Sequence, residues 1–298
     1  MTVRTRFAPA PTGFLHLGHV VNAIYVWGLA RRMGGQVLLR IEDHDRKRSR
    51  AEYERAILDD LDWLELVPDE PSTRAFRLGR CDWRQSDRAD VYQRAIDGLR
   101  AKGLVYACEC SRRDLAKGDG SFGERRYPGT CAAKRLAERP GLALRVRLDP
   151  TIERFVDLAH GPQEQQPASQ CGDLVVRDRD GNWTYQFAAA VDDYAQQVTH
   201  VVRGDDLLPS TGRQIQLARL LGRTEPPRFF HHPLVMKTAT QKLSKAEGDS
   251  GIRELRERGW AAPEVIGHAA ALVGLLRTPR SVPAGHVADL MADDGLLL

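Results

Sequence analysis

Two histidines, His16 and His19, bracket Gly18 in the run Ala8-Pro9-Ala10-Pro11-Thr12-Gly13-Phe14-Leu15-His16-Leu17-Gly18-His19. At that spacing on a helix both imidazoles face one side. A glycine at the mouth of a helix lets backbone approach a polyphosphate, and the first turn adds unpaired N–H groups and a partial positive charge. Such an arrangement suits holding the phosphates of ATP and stabilising charge during an in-line displacement at the α-phosphorus. A bare H-x-G-H is also what two capping or surface histidines look like. The P-x-P-T-G loop before it, and its place between a strand and a helix, favour the phosphate reading.

Lysine and cysteine are the other concentrations of chemistry. Only seven of the 44 basic residues are lysine, and Lys237, Lys242 and Lys245 crowd into nine positions. A flexible ammonium can follow phosphates that move during a reaction, and the small Ser244 leaves such a loop room to close. Taken alone, Lys242-Leu243-Ser244-Lys245 is a weak signal that a solvated lysine loop explains better. Of five cysteines, Cys108, Cys110 and Cys131 lie close in sequence while Cys81 and Cys171 stand apart. The odd number argues for free thiols or metal ligation rather than disulfides. Three thiolates supply most of a tetrahedral Zn²⁺ site, yet three unrelated buried thiols account for the same residues.

These groups need elements to hold them. Residues 3–8 read as a strand, and the prolines after it force a loop. Residues 17–33 carry helical apolar repeats (Val20, Ile24, Trp27) and end in a basic turn with a glycine stop. Residues 36–41 read as a buried parallel strand, which completes a βαβ unit. That strand delivers Glu42-Asp43-His44-Asp45 at its carboxyl end, where open α/β sheets bind ligands. Amphipathic helices are expected at 50–64 and 88–102, and periodicity is lost across 106–135. Short strands follow at 142–148 and 172–177 with a Gln-rich loop at 162–171 between them. A buried strand at 198–202 ends in Arg203-Gly204-Asp205-Asp206, a helix covers 211–221, and the chain is helical after Lys245. The fold class is α/β.

Composition bounds the function. With 298 residues, 42% of them hydrophobic, the chain can bury a core without disulfides. No apolar run reaches the ~18 residues of a spanning helix, and mean hydropathy is −0.42. Met1–Arg6 leads into prolines rather than an apolar stretch, so no signal peptide is read and the expected location is cytoplasmic. A net charge of +4 fits a phosphate-rich partner but not a nucleic-acid coat.

The His16–His19 segment resembles the HIGH signature of class I aminoacyl-tRNA synthetases, and Lys242-Leu243-Ser244-Lys245-Ala246 is similar to their second signature, KMSKS. Arg6 to Gly13, with Arg40-Ile41-Glu42-Asp43, resembles the glutamyl branch. The resemblance implies ATP, with Mg²⁺, held by His16, Gly18, His19, Lys242, Ser244 and Lys245, with His16, His19 and Lys245 serving the chemistry. Tyr185 to Asp193 and Val201 to Leu207 look like the family's blocks around its glutamate-binding tyrosine and arginine. Glutamate carries two carboxylates and one ammonium, for which two arginines, an acid and a hydrogen-bonding aromatic are suited. The implied set is Arg6, Glu42, Tyr185 and Arg203 with backbone at Ala8 and Ala10, where the family commonly has serine at position 10. Asp43 and Asp45 are read as structural or helix-capping rather than as a Mg²⁺ cluster.

Cys108-x-Cys110 with Tyr127-x-x-x-Cys131 resembles the zinc site of glutamyl-queuosine tRNA(Asp) synthetases, truncated relatives of glutamyl-tRNA synthetase. That family implies tRNA-independent activation of L-glutamate and its transfer to queuosine in the anticodon loop of tRNA(Asp). Two alternatives stand beside it: a minimal glutamyl-tRNA synthetase charging the tRNA 3′ end, and a catalytically idle zinc-containing RNA-binding paralogue. The implied architecture is a Rossmann-like parallel sheet, with its halves at 1–105 and 191–246. An inserted zinc-containing acceptor subdomain is expected at 106–190 and a short helical region at 247–298, without an anticodon-binding domain. A monomer with no membrane partner is expected.

Overall fold

The computed structural model describes residues 2–115, 126–235 and 251–291. Lys237, Lys242, Ser244 and Lys245 lie outside the described residues.

Strand β1 (Arg4–Phe7) pairs in parallel with β2 (Gln36–Leu39), from Arg4 opposite Gln36 to Phe7 opposite Leu39. Helix α1 (Leu17–Arg32) makes the connection. Its residues from Val20 to Ala30 are nearly all buried, because the strands cover one side and the helical segments Ala262–Leu272 and Ala284–Met291 cover the other. This accounts for a helix that is apolar around most of its circumference. Helix α2 (Ala51–Trp63) is amphipathic and buries Ile57, Leu58 and Leu61.

A second sheet is antiparallel, with β4 (Ala143–Val146) between β3 (Val105–Cys108) and β7 (Leu174–Arg177). The third has the order β6-β5-β9-β8, formed by β5 (Glu153–Asp157), β6 (Gly161–Gln165), β8 (His200–Gly204) and β9 (Arg228–His232). In it β8, β9 and β5 run parallel, and β6 folds back as an antiparallel edge. The third sheet docks on the first where the Thr199 N–H donates to the Arg4 carbonyl at 2.9 Å and the Arg4 N–H donates to Thr199 Oγ1 at 2.8 Å. The carboxyl ends of β1 and β8 therefore open at one edge, the place where such sheets bind ligands.

The helices expected at 17–33, 50–64, 88–102 and 211–221 form at Leu17–Arg32, Ala51–Trp63, Ala89–Ala101 and Thr211–Leu220. Other expectations are corrected. The Gln-rich stretch is not simply a loop, since it contains β6 and the short helix Pro167–Gln170. It reads as polar because β6 is a solvated edge strand, whose side chains alternate between shielded and exposed. The aperiodic region contains β3, and β9 escapes notice as five residues between prolines. Among the described residues no helix is long and apolar enough to cross a membrane.

Candidate active site

A cleft of about 720 Å³ lies at the shared carboxyl edge, lined by Arg6, Ala8, Ala10, His16, Gly18, His19, Glu42, Tyr185 and Arg203. These are the nucleotide and glutamate residues expected from sequence, apart from those outside the described residues. Asn22 and His232 also line it and were not anticipated. They meet through a 3.0 Å contact between Asn22 Nδ2 and His232 Nε2, with the His232 ring stacked on Tyr25.

The two histidines cap α1. His16 Nδ1 accepts the Gly18 N–H at 3.1 Å, and His19 Nδ1 accepts the His16 N–H at 3.1 Å. A ring nitrogen that accepts is unprotonated, so in the neutral imidazole the proton sits on Nε2. The cap thereby sets both rings as Nε2–H donors beside the helix N-terminus. Gly18 has a further reason to lack a side chain: a Cβ there would stand 2.9 Å from His16 Cε1.

Behind the cleft runs a buried charge network that local sequence did not disclose. Arg40, fully buried, donates from Nε (3.2 Å) and Nη2 (2.9 Å) to Glu42 Oε1 and from Nη1 (2.8 Å) to Asp193 Oδ1. Asp193 Oδ1 also accepts from Arg6 Nε at 3.1 Å, while Arg6 Nη1 donates to the Val202 carbonyl at 3.1 Å. Burial opposes the charge on Arg40, but Asp193, Glu42 and Asp192 outweigh it and hold its pKa well above the ordinary value. Burial likewise opposes the Asp193 carboxylate, and Arg6 and Arg40 keep its pKa low. Both Arg40 bonds to Glu42 fall on Oε1, which leaves Oε2 for an ammonium in the cleft.

Arg203 is held differently. Its Nε donates to His231 Nε2 at 3.0 Å, Nη1 to Gln214 Oε1 at 2.6 Å, and Nη2 to Thr211 Oγ1 at 2.9 Å and the Leu207 carbonyl at 3.3 Å. Among the described residues none of these partners is a carboxylate. Burial lowers the Arg203 pKa; Tyr185 and Asp193 oppose this, and Arg6 adds to it. A buried cation with only neutral contacts is under-compensated, and a carboxylate entering the cleft supplies what it lacks. The Tyr185 phenol lies against the same guanidinium, so Arg203 and Tyr185 meet a cleft ligand together. Arg6, with Nη2 uncommitted among the described residues, is the side chain able to grip a carboxylate twice. Burial pushes the Tyr185 phenol pKa up, which keeps it a neutral donor.

Asp43 and Asp45 are engaged by protein. Asp43 accepts the Ser86 N–H at 2.7 Å and pairs with Arg46, and Asp45 pairs with Arg48 at 2.6 Å.

The ligating atoms of Cys108, Cys110 and Cys131 lie within 4.8 Å of one another, with Cys110 and Cys131 Sγ 3.5 Å apart. A zinc tetrahedron with Zn–S near 2.3 Å has edges of about 3.8 Å, so the group fits that ion. Tyr127 Oη is 3.5 Å from Cys108 Sγ and accepts the Cys131 N–H at 2.8 Å. Arg145, which sequence reasoning missed, donates to Cys108 Sγ at 3.2 Å and stacks 3.5 Å over the Tyr127 ring. Burial and then the neighbouring Cys131 and Cys108 push the Cys110 thiol up to about 12, while Tyr127 and Arg145 bring Cys108 down against its burial. Three thiolates held this close would repel one another, and a cation among them would relieve that repulsion.

The family model described as "tRNA synthetases class I (E and Q), catalytic domain" matches residues 2–277. The Glutamyl-Q tRNA(Asp) synthetase of Bordetella bronchiseptica is 47% identical over 308 residues, covering 95% of this chain and 93% of that protein. A protein of the same name from Nitratidesulfovibrio vulgaris is 40% identical, covering 94% of this chain and 89% of that one. The crystal structure of a glutamate tRNA ligase from Elizabethkingia meningosepticum in complex with its amino acid superposes with a TM-score of 0.78 at 27% identity. It covers 97% of this chain, which spans 64% of that one.

Proposed function

The chain belongs to the class I aminoacyl-tRNA synthetases of the glutamate and glutamine type, and on that premise we propose that it activates L-glutamate with ATP, without tRNA, and transfers it to queuosine in tRNA(Asp). The observation that carries the amino-acid reading is the buried Arg203, with no carboxylate partner among the described residues, lining one cleft with Tyr185, Glu42 and Arg6. Arg6 and Arg203 take the carboxylates of glutamate, Glu42 Oε2 takes its ammonium, and the backbone at Ala8 and Ala10 closes the pocket.

In the first step a carboxylate oxygen of glutamate attacks the α-phosphorus, and the bond to the bridging oxygen breaks to release pyrophosphate. No protein nucleophile is required. The Nε2–H donors of His16 and His19 and the N-terminus of α1 meet charge that grows on the phosphates, and Gly18 lets them approach. Lys242, Ser244 and Lys245 complete the ATP site in this reading, with Lys245 following the departing pyrophosphate. Mg²⁺ enters with ATP as part of the substrate. In the second step a hydroxyl of the modified base attacks the activated carbonyl and AMP leaves.

Zinc is assigned to Cys108, Cys110, Tyr127 and Cys131 as a structural ion that ties the end of β3 to the segment around Tyr127. The regions 1–105 and 191–246 make up the catalytic halves, 106–190 the insertion and 247–298 the helical tail, and the chain acts as a monomer. The acceptor assignment is supported by the names of the relatives and by a tyrosine placed among three cysteines. Transfer of labelled glutamate to tRNA(Asp) with and without queuosine, and to tRNA(Glu), tests it. Label on queuosine-containing tRNA(Asp) alone is expected. Label on tRNA(Glu) regardless of queuosine means a minimal glutamyl-tRNA synthetase instead, the activity in the name of the solved ligase.

A further inference from the structure

Arg203 has an anion behind it, one step removed. Arginine donates and never accepts, so His231 Nε2, which receives the Arg203 Nε–H at 3.0 Å, carries no proton. The His231 proton is therefore on Nδ1 and points at Asp157 Oδ2, 2.6 Å away. Both side chains are fully buried. The other Asp157 oxygen, Oδ1, accepts the N–H of Ala159 at 3.0 Å and of His160 at 3.1 Å in the turn between β5 and β6. His231 sits on β9 between β5 and β8, so three adjacent parallel strands hold the chain of contacts.

We infer that Asp157 and His231 are positioning residues for the glutamate site, a relay in which a neutral imidazole links a buried carboxylate to Arg203 without occupying the face that substrate uses. A carboxylate bonded directly to Arg203 would compete with substrate for the guanidinium. Placed behind an imidazole, Asp157 fixes the tautomer, the tautomer fixes the acceptor, and the acceptor fixes the fork. Thr211 Oγ1, 3.3 Å from His231 Nε2 and 2.9 Å from Arg203 Nη2, braces the same corner.

The inference rests on the glutamate reading of the cleft, and substitutions can separate the two. In Asp157→Asn the pinned Oδ1 keeps its backbone bonds, so the amide nitrogen replaces Oδ2. It then donates to His231 Nδ1, drives the proton to Nε2 and sets an N–H against the Arg203 N–H. His231→Gln deletes a fully buried ring but offers one donor and one acceptor in its place. Steady-state pyrophosphate exchange on folded variants, checked by circular dichroism, is expected to show the glutamate KM up by about 10- to 100-fold in Asp157→Asn. Its kcat and ATP KM stay within about threefold, and His231→Gln shows a smaller rise in glutamate KM. A merely structural role predicts the reverse order, because the histidine change removes more packing. An unchanged glutamate KM in Asp157→Asn, or a larger rise in His231→Gln, overturns the relay. Arg203→Lys is the control: if it raises the glutamate KM while Asp157→Asn does not, the relay alone is wrong. If neither does, the glutamate reading of Arg203 falls with it.

Discussion

His16 and His19 are bonded through each other's stretch of backbone: His19 Nδ1 takes the His16 N–H at 3.1 Å, His16 Nδ1 takes the Gly18 N–H at 3.1 Å, and the rings are 4.0 Å apart. One pair of side chains thus both starts the helix and presents Nε2–H donors. The two roles separate in His16→Asn, since asparagine is among the best N-caps. The variant is expected to keep its melting temperature within about 2 °C while pyrophosphate exchange falls by roughly 100-fold. Calorimetry and exchange kinetics on one preparation check both.

Gly18→Ala puts a methyl where 2.9 Å separates it from the His16 ring. The ring has to turn, and its cap bond and Nε2 direction turn with it. A rise in ATP KM, or a fall in kcat, of about tenfold is expected in exchange assays. Wild-type kinetics in the variant would mean that the orientation of His16 does not matter.

Asp60 on α2 has a buried Oδ2 with no hydrogen-bond partner among the described residues, beside Arg253 and Arg256 of the helix Ile252–Glu257. Burial raises its pKa to about 7, only partly offset by those arginines. A carboxyl whose folded-state pKa exceeds its unfolded value binds more protons when folded. Its contribution is complete below about pH 4 and is lost as pH rises through about 7. Asp60→Asn should therefore melt a few degrees higher than wild type at pH 8, by about 2–8 °C, and show little gain at pH 4. Equal shifts at the two pH values would contradict the assignment.

Tyr127→Phe removes an oxygen that accepts the Cys131 N–H and lies 3.5 Å from Cys108 Sγ. Metal analysis should find one zinc per wild-type chain. The phenylalanine variant, with its three thiols intact, should release zinc to a competing chelator at about tenfold lower chelator concentration. Cys108→Ser should lose zinc during purification. Identical release curves for wild type and Tyr127→Phe would remove tyrosine from the ligand set.

The elements that carry the site are legible in sequence because their signals are local. The Pro-Gly loop, the apolar repeat of α1 and the polar residues after β2 all fall within 45 residues. What fixes the geometry is not local. Arg40 meets Asp193 across 153 positions and Asp157 meets His231 across 74, and nothing in the neighbourhood of any of them names its partner. Polarity misleads in the same way: the charged Arg40 is among the most enclosed side chains, and β6 looks like a loop because its outer face is wet. The cysteines were visible by spacing, whereas Arg145 stacked on Tyr127 depends on β4 lying beside β3.

Pyrophosphate exchange into ATP without tRNA, screened over the amino acids, tests the account most directly. It predicts exchange with L-glutamate and none with aspartate or glutamine, and a raised glutamate KM when Arg203 is replaced by alanine. Absence of exchange at any glutamate concentration, or exchange driven best by another amino acid, would contradict it.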